Sequence, residues 1–278
     1  MVAFTILGRP VYRYGIFYGV TFLFGYWFLW WIATKPRMKA YPQVKHVLTQ
    51  KKDDLFLACL LGVIVWGRLG HVFLYERSYY SQHLLEIVLI NQWGMSFVGW
   101  VLGVATALWI LIKRRNLSFE SMKLLWDLVL CIVPVWIFLW RIGNGLNQEL
   151  RWKPLSVLSD SLVTILTSLW LTRVYPAVDT LLRVDTNTIQ ALTEWLFTWI
   201  LVWLLLLFVY SRRKVAWLIS WVFLIVYGLV RYWVEPLKDL PVNEIAWPLS
   251  ISQRVMILFI VCGWVIVRQT KVSSKGSK

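Results

Sequence analysis

The chain has 278 residues, 59% of them apolar and only 15% charged, with a mean hydropathy of +0.63; soluble domains do not have this balance, and the bilayer is the expected solvent. The net charge of +15 does not signal nucleic acid, because Lys and Arg stand in short clusters between apolar runs, where they set topology and meet anionic headgroups. Cys59, Cys131 and Cys262 each lie inside an apolar run, which excludes a disulfide framework or a cysteine metal cluster.

A membrane span needs about 20 mostly apolar residues. In chain order, spans are predicted over 14–34, 55–75, 94–112, 124–140, 191–210, 215–234 and 251–267. The first run has no basic region ahead of it and no small-residue cleavage site, so it reads as a retained helix. Trp30, Trp31, Trp93 and Trp247 sit near run ends, as interfacial belts require. Basic residues then alternate by loop: Lys35 to Lys52 after the first span, Lys113 to Lys123 after the third, Arg212 to Lys214 after the fifth, and Lys271 to Lys278 after the last. By the positive-inside rule these loops are cytoplasmic, which puts the N-terminus outside and the C-terminus in the cytoplasm, with Arg9 and Arg13 as exceptions.

An eighth apolar run, 158–171, breaks that alternation if it crosses the membrane. It is therefore expected to be interfacial or re-entrant, inside an extracytoplasmic segment over 143–190 between helices four and five. The expected fold class is an all-α membrane protein of about seven transmembrane helices, forming a single integral-membrane domain over 1–278. No residue pattern calls for a metal or a cofactor, and a monomer is expected.

Ionisable groups within apolar spans cost several kcal/mol unless paired or wetted, so each is a candidate functional residue. Arg68 lies thirteen residues into the second span, about 20 Å from its start. His71 and Tyr75 follow it on the same face, His71 reading as structural. Tyr227, Arg231 and Glu235 repeat every four residues on the sixth span, and Arg141 closes the fourth. Arginines reaching one level of the membrane suit a phosphate headgroup, because a guanidinium stays charged and presents a planar fork; the alternative is that each snorkels or holds a neighbouring helix. Asp127 starts the fourth span and reads as structural.

The most informative segment is Arg141-Ile-Gly-Asn-Gly-Leu-Asn-Gln-Glu149. Gly143 and Gly145 allow close backbone approach, while Arg141, Asn144, Asn147 and Glu149 bring a cation, two amides and a carboxylate to the end of a span.

This segment resembles the signature of the bacterial prolipoprotein diacylglyceryl transferases, Gly-Arg-aliphatic-Gly-Asn-Phe-aliphatic-Asn-x-Glu. Trp140 stands for the leading Gly and Gly145 for the Phe. Other fragments follow in the family's order: Tyr14-Gly15, Arg68-Leu69-Gly70, Gly94-Met95-Ser96-Phe97, Asp127, and Gly228-Leu229-Val230-Arg231 with Glu235. Val98 stands where the family commonly has a histidine, Trp152 replaces a glycine, and Thr188-Ile189-Gln190 is what remains of the motif ahead of the fifth helix.

The resemblance implies transfer of a diacylglyceryl group from phosphatidylglycerol to the lipobox cysteine of a prolipoprotein signal peptide, in the bacterial cytoplasmic (inner) membrane. It implies Arg141, Arg231 and Glu149 as catalytic residues, with the two arginines on the phosphate. Asn144 and Asn147 would orient the lipid; Tyr14, Tyr227, Arg68, Gly143 and Ser96 would complete substrate binding. Glu235, like Glu149, would hold an arginine or act as base. Val98 keeps a second reading open, a paralogue that binds phospholipid or prolipoprotein without catalysis; a small-solute transporter is a third, for which no broken-helix repeat is visible.

Overall fold

A computed structural model of the chain describes residues 2–6, 9–88, 94–148, 154–176, 179–212, 217–235, 245–246 and 249–275. Helices dominate: α1 (Arg13–Ala33), α2 (Pro42–Gln50), α3 (Lys52–Leu74), α4 (Arg77–Tyr80), α5 (Phe97–Arg114), α6 (Phe119–Leu130), α7 (Val133–Leu146), α8 (Asp160–Ser168) and α9 (Thr186–Gln190). A π-helical turn (Ala191–Phe197) then leads into α10 (Thr198–Arg212), α11 (Leu218–Val234) and α12 (Ile251–Lys275). Three short 3-10 turns (Pro36–Ala40, Leu84–Val88 and Leu155–Val157) and three antiparallel strand pairs complete the described elements: β1 (Val2–Ile6) with β2 (Arg9–Tyr12), β3 (Thr172–Val174) with β4 (Leu182–Val184), and β5 (Ile245–Ala246) with β6 (Leu249–Ser250).

Among the described residues, six helical stretches are long and apolar enough to cross a membrane: Gly15–Ala33, Lys52–Leu74, Phe97–Arg114, Phe119–Leu146, Thr186–Leu207 and Ile251–Arg268. α11 is equally apolar but shorter, at 17 residues. The chain is thus a helical, multi-pass membrane protein. Two stretches differ from the predicted spans. The fourth runs from Phe119 to Leu146 and is interrupted after Leu130, with Pro134 in the first turn of α7, where its missing N–H costs nothing. The fifth begins at Thr186, because Asp185 caps it: its carboxylate accepts from Thr188 N at 3.1 Å and from Thr188 Oγ1 at 2.8 Å. In the eighth apolar run only nine residues are helical, a rise of about 14 Å against a hydrocarbon core of about 30 Å, so α8 does not cross it.

The chain divides into two compact units, Tyr26–Trp126 and Met1–Gly25 with Asp127–Lys278. In the first, α3 packs on α5 through glycines. A Cβ at Gly62 would strike the Gly103 carbonyl oxygen, one at Gly103 the Gly62 carbonyl oxygen, and one at Gly99 the Trp66 carbonyl oxygen. Small residues admit such backbone approach, which is how helices associate in lipid. Ser96 starts α5: its N–H donates to the Gly67 carbonyl at 2.9 Å, and its Oγ accepts from Gly99 N at 3.3 Å. Asp53 and Asp54 in the first turn of α3, and Lys113 and Arg114 in the last turn of α5, complement the helix dipoles. α2 is tied in by Gln43 Oε1, which accepts from Ser118 N and Ser121 Oγ, both at 2.9 Å.

In the second unit, Asp127 does structural work. Its buried carboxylate accepts from Trp217 N at 2.7 Å, Ser220 N at 2.9 Å and Ser220 Oγ at 2.5 Å, capping α11 from another helix. α11 and α12 approach closely at Gly228, opposite Met256 and Ile260, and at Gly263, opposite Trp221 and Ile225. A small apolar core of Leu155, Leu166 and Val184, with Leu158, Val163, Leu171 and Ile189 around it, joins α8 to the β3–β4 pair.

Candidate active site

Arg141, Arg231, Glu194 and Glu235 meet in the interior of the second unit. α7 carries Arg141 near its C-terminal end, and α11 carries Arg231 one turn before its own end. Between them the π-helical turn presents Glu194, which is fully buried. Glu194 Oε2 accepts from Arg141 Nη2 at 2.8 Å, and Oε1 accepts from Arg231 Nη1 at 3.2 Å. Arg231 Nη2 reaches Glu235 Oε2 at 3.0 Å, one helical turn away. One carboxylate thus spaces two guanidiniums, and the four charges sum to zero.

Such a network is expensive to bury unless its charges are paired. A π-turn is rare and recurs at functional sites; here it places the acid that both arginines share. Tyr227 lies within the field of all four charged groups, its ring stacked on Phe223 with centroids 5.4 Å apart.

Other predicted residues gather near Arg141. Asn144 is 1% exposed, and Asn147 caps α7, its N–H donating to the Gly143 carbonyl at 3.0 Å. Among the described residues, Arg141 Nε and both amide atoms of Asn147 have no hydrogen-bond partner, and the same holds for the amide of fully buried Gln190. Buried polar atoms are normally satisfied, by protein, water or ligand. Tyr14 falls in α1, where only the backbone is described, and Glu149 lies outside the described residues.

Arg68 and Ser96 belong to the first unit. Arg68 is 3% exposed and donates to the carbonyls of Glu86 at 2.7 Å, Ile87 at 3.1 Å and Gly94 at 3.4 Å, with its guanidinium over the Tyr80 ring at 5.0 Å. Gly94, at φ +125°, takes a conformation that suits glycine. Ser96 is the helix cap already described. His71 packs between Tyr75 and Tyr80 and lies 3.6 Å from Glu76.

The residue absent from the expectations is Glu194. The rule that singles out intramembrane arginines applies equally to an acid inside the fifth apolar run, and it supplies the signal.

The prolipoprotein diacylglyceryl transferase family model matches residues 1–268. The phosphatidylglycerol–prolipoprotein diacylglyceryl transferase of Methylobacillus flagellatus is 32% identical over 261 residues, covering 92% of this chain and 91% of its own. The protein of the same name from Aromatoleum aromaticum is 32% identical over 235 residues, 84% of this chain and 80% of its own. That of Nitrosomonas europaea is 34% identical over 223 residues, 80% and 72% respectively. The chain belongs to the prolipoprotein diacylglyceryl transferase family.

Proposed function

We propose that this chain transfers the diacylglyceryl group of phosphatidylglycerol to the lipobox cysteine of prolipoproteins. The cysteine sulfur, as thiolate, attacks the glyceryl carbon that bears the phosphate; the C–S bond forms, the C–O bond breaks, and glycerol phosphate leaves with the electron pair. The barrier falls if fixed positive charge faces the phosphate oxygens as that charge develops. Arg141 and Arg231 supply it, and Glu194 and Glu235 hold their forks in place. Asn144 and Asn147 orient the ester, Tyr227 lines the pocket, Gly143 lets the lipid approach the backbone, and Tyr14 keeps the substrate-binding role that the resemblance implies. A thiol is only a few per cent ionised at neutral pH, so a base is needed; with Val98 in place of the family histidine, Glu149 takes that role. Arg68 and Ser96 keep the substrate-binding role that the resemblance implies.

The proposed setting is the bacterial cytoplasmic membrane. Seven helices cross it, α11 being the sixth, with the N-terminus outside, the C-terminus in the cytoplasm and the segment between α7 and α9 extracytoplasmic or interfacial. The alternation of basic loops supports this orientation. The exposed Leu162, Ile165, Leu169 and Trp170 suit an interfacial position for α8. A monomer contains the whole constellation.

The observation that carries the reading is the pair of arginines, one buried and one mostly buried, on one fully buried carboxylate. The test is mass spectrometry of a lipobox peptide incubated with phosphatidylglycerol and the purified chain. Wild type forms the thioether, and Arg141→Ala lowers its yield more than about 100-fold while the protein stays folded, since Glu194 keeps Arg231. Retained activity in that variant sinks the assignment. No thioether from wild type, with phosphatidylglycerol still bound, moves the chain to the non-catalytic reading that Val98 favours.

A further inference from the structure

Beside Arg141 the second unit holds a cleft of about 160 Å³, lined by Arg141, Gly145, Arg173, Asn187 and Thr188 among others. Arg173 comes from β3 and its side chain is 46% exposed, against 7% for Arg141. Its Nε pairs with Asp185 at 3.2 Å. Its Nη1 reaches α7, where a Cβ built on Gly145 would lie only 3.5 Å from it. Gly145 is one helical turn from Arg141 on the same face. Two guanidiniums, one buried and one half-exposed, thus line a single small cleft. Position 145 is glycine, so α7 sends no side chain into the cleft there.

We infer that this cleft binds glycerol phosphate, the leaving group of the proposed transfer, with Arg173 as its second cationic contact; the inference rests on that transferase reading. The phosphodiester of the lipid carries a single negative charge. Once the C–O bond breaks, the group becomes a monoester with roughly −1.5 to −2 charges at neutral pH. A product more anionic than its substrate gains from a cation that the substrate did not require. Arg173 meets that need at the exposed end of the cleft, where a water-soluble product departs. Asn187 and Thr188 stand at the same wall; the Thr188 hydroxyl donates to Asp185 at 2.8 Å, and its oxygen can still accept from a glycerol hydroxyl. The two like charges repel each other less once a dianion sits between them.

The test uses the full chain in phosphatidylglycerol vesicles with a lipobox peptide, titrated with soluble glycerol phosphate. The product inhibits wild type. Arg173→Gln, and Gly145→Phe from the opposite wall, each raise the inhibition constant about tenfold, the scale of one charge-assisted hydrogen bond. Arg173→Lys restores most of the inhibition, as a charge requirement demands. An inhibition constant unmoved in both Arg173→Gln and Gly145→Phe overturns the inference. So does a change confined to the KM for phosphatidylglycerol, which assigns the cleft to the lipid headgroup, and so does equal inhibition by inorganic phosphate, which removes the glycerol. If wild type forms no thioether the transferase reading fails by itself. Calorimetric binding of glycerol phosphate to the same variants then decides the cleft separately, with loss in Arg173→Gln supporting it and unchanged binding overturning it.

Discussion

Between α3 and α5 the helices meet through bare backbone, with Gly62 against Gly103 and Gly99 against the Trp66 carbonyl. Around Glu194 the elements meet through four charges, three of them buried and Arg231 mostly so, two from α11 and its C-cap, one from α7 and one from the π-turn. Lipid offers no hydrophobic gain for bringing helices together, so both interfaces need another source of attraction. The glycine seam draws on close van der Waals contact and on weak Cα–H···O contacts, and it has no use for a solute. The charged interface is costly to desolvate, and well-packed apolar residues would hold the helices at least as firmly. Its retention in the interior makes sense for a protein that must exchange part of that network with an anion.

Breaking the charged side gives the largest expected effect. Glu194→Gln leaves Arg141 without its acid and Arg231 with Glu235 alone. The expected loss is about 3–5 kcal/mol of stability, together with a fall in lipidation of about 10²–10³-fold. Thermal unfolding in detergent and the mass-spectrometric peptide assay measure the two. A Glu194→Gln protein as stable and active as wild type removes the shared-carboxylate account.

Breaking the seam acts on the other quantity. Gly99→Leu drives a side chain into the Trp66 carbonyl and the Gly67 backbone, so α3 and α5 must separate. About 1–3 kcal/mol of stability is lost, the range for overpacking a close interface, while lipidation per folded molecule stays within about twofold. Quantifying folded protein by size-exclusion chromatography before the assay separates these outcomes. If activity per folded molecule falls as far as in Glu194→Gln, the distinction between seam and site collapses.

The same comparison explains what the amino-acid pattern discloses. Apolar runs of span length are visible because hydropathy averages over many residues, and the arginines stand out because a charge in such a run is rare. Glu194 obeys the same logic, yet it is only the fourth residue of the run as predicted, which starts at 191. The helix in fact begins at Thr186, behind the Asp185 cap, which puts Glu194 well inside. The π-turn has no pattern of its own, since hydrophobic period does not distinguish i→i+5 from i→i+4 bonding over seven residues. The partners of Arg68 were hidden for another reason: they are backbone carbonyls at Glu86, Ile87 and Gly94, and a carbonyl carries no residue identity. Asp127 was readable as structural from its position alone, but not that it caps a helix 90 residues later.

Ser96 gives the smallest effect and the sharpest discrimination, because resemblance and geometry assign it different work. The resemblance puts it among the substrate contacts. In the fold it is 1% exposed, its N–H is bound to Gly67, and its Oγ accepts from Gly99 N. Capping alone predicts that Ser96→Ala costs about 1 kcal/mol and lowers the thermal midpoint by a few degrees, with the KM for phosphatidylglycerol unchanged. Ser96→Thr keeps the acceptor and should recover most of the loss. A KM that rises well beyond the measured loss of folded protein, and is not recovered by threonine, assigns Ser96 to the lipid instead. In that case the start of α5 belongs to the site as well as to the seam, and the two kinds of helix contact share a residue.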